Sequence, residues 1–425
     1  MYSFIILLYS LAVRMAALFG NKKARLMVRG HHAVWSLLRE RVVPDARYIW
    51  VHAASLGEFE QGRPLIERIR REMPEKKILL TFFSPSGYEV RKNFPGADIV
   101  CYLPFDTLLN VRRFLRLVHP EMLVLVKYEF WFNLIFRVSH RGIPIYSISS
   151  IFRPRQIFFR WYGRMYAQCL KRITHFFVQN QESVMLLSRL GITNVTVTGD
   201  TRFDRVIDIM RSARELPYVE HFVAPAQQAQ QTIVVAGSTW PPDEDILIGH
   251  FNAHPEQRLI IAPHVVSEEH LREIESKIQR PAVRLSQLVA YLTAHPEVES
   301  PKAQCLIIDG YGLLSSIYRY AHVAYVGGGF GVGIHNVPEA AVYGLPVIIG
   351  PNNQRFHEAQ QLLAAGGCHE IHTGDDYARL MATFTTDAAA LSAAGKASHD
   401  YIHGHAGATD LIFRHLFPEA TAAES

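Results

Sequence analysis

Cysteine is scarce: the 425 residues hold four, Cys101, Cys169, Cys305 and Cys368, with no C-x-x-C pair. That spacing excludes a disulfide-stapled secreted scaffold and a paired-cysteine zinc motif, and it fits a reducing compartment. No low-complexity tract is present, and 49% hydrophobic with 20% charged residues excludes a disordered chain. No Gly-Lys-Ser/Thr follows any glycine-rich stretch, so the chain has no Walker loop. No His/Asp cluster has a metal-ligand spacing. A long hydrophobic run is also missing. The apolar stretch from Phe4 to Val13 is interrupted at Arg14, short of the about 20 residues that a spanning helix needs. No cation precedes it and no small-residue cleavage site follows, which argues against a signal peptide. Cations come afterwards, at Lys22, Lys23, Arg25 and Arg29. The stretch therefore reads as an N-terminal anchor, spanning or lying in the interface, with the body of the protein cytoplasmic. The net charge of +5 is mildly basic and suits anionic partners.

Length alone predicts two domains. Short β-branched runs alternate with helical segments at Tyr48–Ala53, Lys77–Phe83, Ile99–Leu103, Met122–Val126, Ile143–Ser147, Phe176–Val178 and Val195–Thr198. A second series follows at Thr232–Ala236, Arg258–Ala262, Cys305–Ile308, His322–Val326 and Pro346–Ile349, and Tyr377 to about Leu416 reads as helical. Such alternation predicts parallel βαβ units. The expected organisation is an anchor at 1–20, an α/β domain at 21–211, a Pro-, Ala- and Gln-rich linker at 212–231, and a second α/β domain at 232–425 with C-terminal helices. Ligands of doubly wound sheets sit at the strands' carboxyl ends, and a cleft between facing domains is the expected site.

Three motifs fall at such strand ends. The first is His52-Ala53-Ala54-Ser55-Leu56-Gly57-Glu58, where an acid opens a helix; it suits both capping and a general base. The second is Lys127-Tyr128-Glu129-Phe130-Trp131-Phe132-Asn133, another acid after a buried strand. The third runs from Gly327 through Gly333, His335 and Asn336 to Glu339. Its glycines let the backbone approach a phosphate, a helix begins near Val337, and Glu339 is placed to accept from ribose hydroxyls. Gly237, Ser238 and Thr239 end another strand and can serve the same phosphate. Asp243 and Asp245 spell D-x-D but follow Pro241-Pro242, which reads as helix capping. Residues 151–172 carry six cations and no acid among several aromatic rings. They read either as an amphipathic helix packed on the sheet or as a surface for anionic lipid, with Arg153, Arg155, Arg160 and Arg164 its charges. No nucleic-acid motif accompanies them.

In this order, over nearly the whole chain, these pieces resemble the Kdo transferases, which move 3-deoxy-D-manno-oct-2-ulosonic acid (Kdo) from CMP-Kdo to lipid A precursors. The resemblance implies a glycosyltransferase B fold, two Rossmann-like domains facing a central cleft, with acceptor on the first and CMP-sugar on the second. It implies Glu58 as catalytic base and Glu129 as a second required acid. It further implies CMP contacts from Gly237, Ser238, Thr239, His264, Gly333, His335, Asn336 and Glu339. Acceptor contacts would come from Ser84, Ser86, Gly87 and Arg202. The implied enzyme is inverting, needs no metal or cofactor, binds no nucleic acid, and works at inner-membrane lipid on the cytoplasmic side. Two departures stand out. The family's Glu-Thr-Glu-Leu-Trp-Pro-Asn reads Lys127-Tyr-Glu-Phe-Trp-Phe-Asn here, and its Pro-Arg-His reads Ala262-Pro263-His264. The cation facing the leaving phosphate is thereby unassigned. Two other classes remain open: a different enzyme of the same fold, such as a nucleotide-sugar epimerase or a UDP-sugar transferase, and a non-catalytic membrane-associated binding protein.

Overall fold

Seven β-branched or apolar runs in the first half do form strands: β1 Arg47–Ala53, β2 Lys77–Phe82, β3 Ile99–Tyr102, β4 His119–Val126, β5 Ile145–Ser150, β6 His175–Val178 and β7 Val195–Val197. In the computed structural model, which describes residues 2–295 and 302–419, they make one sheet in the order β3-β2-β1-β4-β5-β6-β7. The second half builds another seven-stranded sheet. Its strands are β8 Thr232–Thr239, β9 Gln257–Pro263, β10 Ala282–Arg284, β11 Cys305–Ile307, β12 Val323–Val326, β13 Val347–Ile349 and β14 Cys368–Glu370. Their order is β10-β11-β9-β8-β12-β13-β14. The pairings β1·β2, β1·β4, β8·β9 and β12·β8 are all parallel. Central strands such as β1 and β9 are buried along nearly their whole length, as helices on both faces require.

Each order reverses once next to the first strand of its sheet, between β1 and β4 and between β8 and β12. The reversal splays the loops at the strands' carboxyl ends, which makes that point the ligand crevice of a doubly wound sheet. The motif acids after β1 and β4, and the glycine-rich loop after β12, stand at these two points.

The chain divides into two units, Met1–Arg205 with His405–Ser425, and Val206–Gly404. This differs from the expected boundaries in two places. Residues 212–231 are no linker: Pro217–Gln228 is a helix that buries Val219, Phe222, Val223 and Ala226, an i, i+3, i+4, i+7 stripe. The chain's end does not stay with the second unit. The helix Ala408–Leu416 buries Ile412, Phe413 and Leu416 in the first unit's core, with Phe177, Ile66 and Ile69. Asp204 accepts from the Gly407 and Thr409 amides at its start, and the Arg68 guanidinium lies 4.3 Å over the Phe413 ring. Residue 1 and residues 420–425, the outer ends of the expected first and last segments, lie outside the described residues.

The expected N-terminal anchor, spanning or lying in the interface, is not shown as a spanning helix. Helix α1 (Tyr2–Leu18) has 17 residues, and no helix among the described residues is long and apolar enough to cross a membrane. One side of α1 is tied to the first unit. Tyr2 donates to Asp106 at 2.8 Å, and Ile6 packs with Met27 of α2 (Lys22–Arg41) and Phe105. The other side leaves Phe4, Leu7, Leu8, Leu11, Leu18 and Phe19 exposed. Residues 151–172 are not one amphipathic helix either. They form two single 3₁₀ turns and the helix Arg164–Leu170. Phe152 packs on the Phe130 and Phe176 rings, Phe158 on Phe130 and Phe159 on Phe152, whereas Trp161 and Tyr162 stay exposed.

Candidate active site

In the first unit, β1 ends at Ala53 and α3 (Leu56–Glu72) begins at once. Ser55 in extended conformation precedes the helix, so Glu58 falls in its first turn. Its Oε2 accepts from the Ala54 amide at 2.6 Å and the Ser55 amide at 3.1 Å. The capping reading is therefore realised, but both bonds use one oxygen, so capping leaves Oε1 uncommitted. Burial raises the Glu58 carboxyl above the ordinary range, and the charge of Glu129 raises it further; His52 and the two amides work against this. A base must be ionised to act, and a raised group ionises later. For a reaction that uses this carboxylate as its base, the acid limb of kcat/KM is expected above the ordinary carboxylate pKa near 4.5, read from a pH–rate profile.

Glu129 is set by a strained turn. Lys127, directly after β4, holds φ +60°, a left-handed value that is rare outside glycine. The Phe130 amide then donates to the Tyr128 carbonyl at 2.7 Å and the Trp131 amide to the Glu129 carbonyl at 3.1 Å. The Trp131 indole donates to Glu129 Oε2 at 2.8 Å. Asp106, 2% exposed, caps the next helix, α6 (Phe132–His140; α4 is Pro85–Arg91 and α5 Leu108–Leu117), through the Asn133 and Leu134 amides. Burial pushes its carboxyl up to about 6. Ser149 at the end of β5 is also left-handed, at φ +51°, where the β5·β6 register shifts. Bulges of this kind re-aim side chains beside active sites.

The expected acceptor residues fare differently. The Ser84 amide donates to the Ala54 carbonyl at 2.7 Å, which ties the β2–α4 turn to the turn before Glu58. Ser84 and Ser86 hydroxyls lie 3.0 Å apart at the surface. Gly87 is a packing position: a Cβ there would fall 2.2 Å from the Phe82 ring. Arg202 bonds Asp200, which is 5% exposed and also accepts from Gln61 and Gln179. This buried node anchors α3 one turn beyond Glu58. A cavity of about 530 Å³ lies farther along α3, away from the strand ends. Its Arg63, Arg70 and Arg91 are paired with Glu67, Asp98 and Glu60.

In the second unit, Ser238 holds φ +54° at a register shift between β8 and β9. Of the Gly-Ser-Thr turn, Gly237 is closed off by the Tyr318 hydroxyl, 2.1 Å from where a Cβ would stand, and Thr239 donates to buried Glu244. That leaves the half-buried Ser238 hydroxyl for a ligand. The glycine-rich loop is held by its own amides: Gly331 and Gly333 donate to the Gly328 carbonyl, and His335 to that of Gly327. Gly328, at φ +93°, donates to Asp243 at 2.9 Å. Asp243 therefore caps its helix through the Trp240 amide and clamps the loop, and it accepts from the Tyr325 hydroxyl at 2.7 Å. Asp245 instead pairs with Lys277 at the surface, so the two acids of D-x-D do not act together. The helix after the loop is only Val337–Ala341, too short for its dipole to count for much.

Trp240, His264 and His335 form a stack, with centroids 4.9 and 4.3 Å apart. The Trp240 indole, which can only donate, gives its proton to His335 Nε2 at 3.1 Å. Burial, with His264 alongside, lowers the His335 pKa and keeps the ring neutral. Its one proton is thereby fixed on Nδ1, a donor. Asn336 donates to half-buried Glu339 at 2.6 Å, and the charge of Glu339 is felt at Tyr318 under the Gly-Ser-Thr turn. The structure thus gathers Ser238, His264, His335, Asn336 and Glu339 around the β8–β12 switch point. Sequence reasoning quoted His52 and Trp131 inside its motifs without giving them a role, passed over Trp240 and Asp106, and gave Asp243 only half its role. The signal for Trp131 and Trp240 was a buried-type ring directly after a strand-end motif.

Residues 25–205 match the family model described as 3-deoxy-D-manno-octulosonic-acid transferase (kdotransferase). The 3-deoxy-D-manno-octulosonic acid transferase of Aquifex aeolicus is 26% identical over 326 residues, 75% of this chain and 80% of that protein. The one of Bordetella pertussis is 28% identical over 388 residues, 86% of each. Among solved structures, a UDP-GlcNAc 2-epimerase from Neisseria meningitidis superposes with a TM-score of 0.57 over 88% of this chain and all of that one. At 12% identity that likeness speaks for the fold alone, two parallel-sheet domains of glycosyltransferase B type.

Proposed function

We propose that this chain is a Kdo transferase, which its match to that family's model at residues 25–205 and relatives of that name at 26–28% identity support, and that it moves Kdo from CMP-Kdo to a lipid A precursor with inversion. The observation that carries the reading is Glu58: an acid at the first sheet's switch point, held through Oε2 alone, with a second acid beside it. Glu58 Oε1 takes the proton of the acceptor hydroxyl as that oxygen attacks the anomeric carbon. The bond to the CMP phosphate breaks, and CMP leaves with the extra charge. The Ser238 hydroxyl and His335 Nδ1–H donate to that phosphate, and Glu339 accepts from the ribose. His264 stands where the family's Pro-Arg-His ends and positions His335 by stacking. None of these steps calls for a metal ion. Arg202, bound to Asp200, serves acceptor binding by fixing α3 rather than by reaching out.

CMP and UDP titrated by calorimetry separate this reading from a UDP-sugar epimerase or transferase; CMP is expected to bind and UDP to bind far more weakly. Tighter binding of UDP would overturn it. Glu339→Ala is expected to weaken CMP by about 1.5–3 kcal/mol, the worth of a hydrogen bond to a charged group. Equal wild-type affinity for CMP and its dideoxyribose analogue would remove that assignment.

The proposed place of action is supported by α1. Its exposed Phe4, Leu7, Leu8, Leu11 and Leu18 form an apolar side on a helix docked by the other. With exposed Arg153, Arg155, Arg160 and Arg164 and the Trp161 and Tyr162 rings, this suits a helix lying in an anionic interface, the cytoplasmic leaflet of the inner membrane. Changing Leu7, Leu8 and Leu11 to Gln keeps the docked side intact. Vesicle flotation of that variant is expected to fall, and to fall further when the four arginines are neutralised. Flotation equal to wild type would make both segments purely structural.

A further inference from the structure

His52 sits on β1, 0% exposed, six residues before Glu58. Its Nδ1 lies 2.9 Å from the Thr81 hydroxyl and 3.1 Å from the Thr81 carbonyl, and the Trp50 indole donates to the same hydroxyl at 2.8 Å. The ring is therefore fixed from one side by β2. Its Nε2 is buried with no hydrogen-bond partner, and it faces Glu129 Oε2 at 3.6 Å. A carboxylate oxygen offers only lone pairs, so a bare Nε2 there would oppose lone pair to lone pair. The Thr81 hydroxyl, which accepts from Trp50, has its own proton to give to Nδ1; the neutral ring then carries its proton on Nε2, facing Glu129. The remaining ionisable neighbours are Glu58 on α3, Asp106 with Tyr2 on the other side, and Tyr128, which senses Glu58 and Arg153.

We infer that His52 is the positioning residue of the carboxylate pair: its Nε2 proton takes up the charge of Glu129, and this lets the adjacent Glu58 ionise and serve as base. The inference rests on the reading of Glu58 given above. Two carboxylates in one low-dielectric site cannot both ionise readily, so one needs a cationic or donating partner. Glu129 accepts from the Trp131 indole and faces His52 Nε2 at 3.6 Å, and Glu58 accepts from two amides. The 3.6 Å gap is wider than a hydrogen bond, and catalytic contacts commonly tighten on loading.

The test is the pH dependence of kcat/KM for the full-length protein with CMP-Kdo and a lipid A precursor. His52→Asn retains a group near Nδ1 for Thr81 and nothing at Nε2; His52→Gln places a neutral donor near Nε2. The Asn variant is expected to move the acid limb to higher pH by about one unit. The Gln variant should recover part of that shift. Glu129→Gln should move the limb the other way, and adding His52→Asn to it should cause no further shift. An unfolding midpoint and a near-ultraviolet circular dichroism spectrum equal to wild type report that each variant is folded, since the substitutions lie in the first unit. A lower rate in His52→Asn with an unmoved acid limb means that His52 only packs, and overturns the inference alone. Full activity in Glu58→Gln, measured alongside, overturns the base assignment itself and this inference with it.

Discussion

Glu58→Gln is expected to lose transfer by about 10²–10⁴-fold, the usual size of a general-base contribution, with CMP affinity unchanged. The substitution is clean for a structural reason. The side-chain oxygen of Gln accepts from the Ala54 and Ser55 amides just as Oε2 does, so the helix start survives. Only the proton-accepting oxygen is lost. Turnover of wild-type and variant protein at saturating CMP-Kdo reads the effect, and turnover within about tenfold of wild type would remove the base role.

The second large effect is expected at Asp243, a residue with no direct contact to substrate. Replacing it by Ala strands three donors, the Trp240 amide, the Gly328 amide and the Tyr325 hydroxyl, in a site where Asp243 is 1% exposed. Each unpaired buried donor costs about 1–3 kcal/mol before relaxation. Gly328, at φ +93°, is the pivot of the glycine-rich loop, so the loss reaches the donor site as well as stability. CMP affinity is expected to fall by more than about tenfold, and the unfolding midpoint by about 2–4 °C for each kcal/mol lost. Differential scanning calorimetry with and without CMP measures both. An unchanged CMP affinity would show that the loop holds its shape without the clamp.

Much of this was legible in the sequence because it is local. Seven strands of the first sheet follow from short apolar runs, and three motif loops follow from where those runs stop. What escaped was short or distant. β10 reads Ala282-Val283-Arg284 and β14 Cys368-His369-Glu370, with too few apolar residues for a buried-strand run to show. The stripe Val219, Phe222, Val223, Ala226 was masked by Pro225 and the glutamines around it, although its spacing is helical. The return of Ala408–Leu416 to the first unit depends on Asp204 and Arg68, some 200 and 340 residues earlier, which no local pattern encodes. Among the site residues, Glu58 and Glu129 stand out because an acid after a buried strand is conspicuous. His52 does not, since a histidine inside a strand looks like filling until Thr81 on one side and Glu129 on the other are seen. The motif offers Gly87 as an acceptor contact, and only the Phe82 ring shows that a side chain there has no room.

The most direct measurement is transfer itself: purified full-length protein, CMP-Kdo made in situ and a tetraacylated lipid A precursor, with products read by mass spectrometry. One or more Kdo masses added to the lipid, with matching release of CMP and none in the Glu58→Gln control, is the expected result. An unmodified lipid beside a protein that still binds CMP, or equal product from the Glu58→Gln variant, would contradict it.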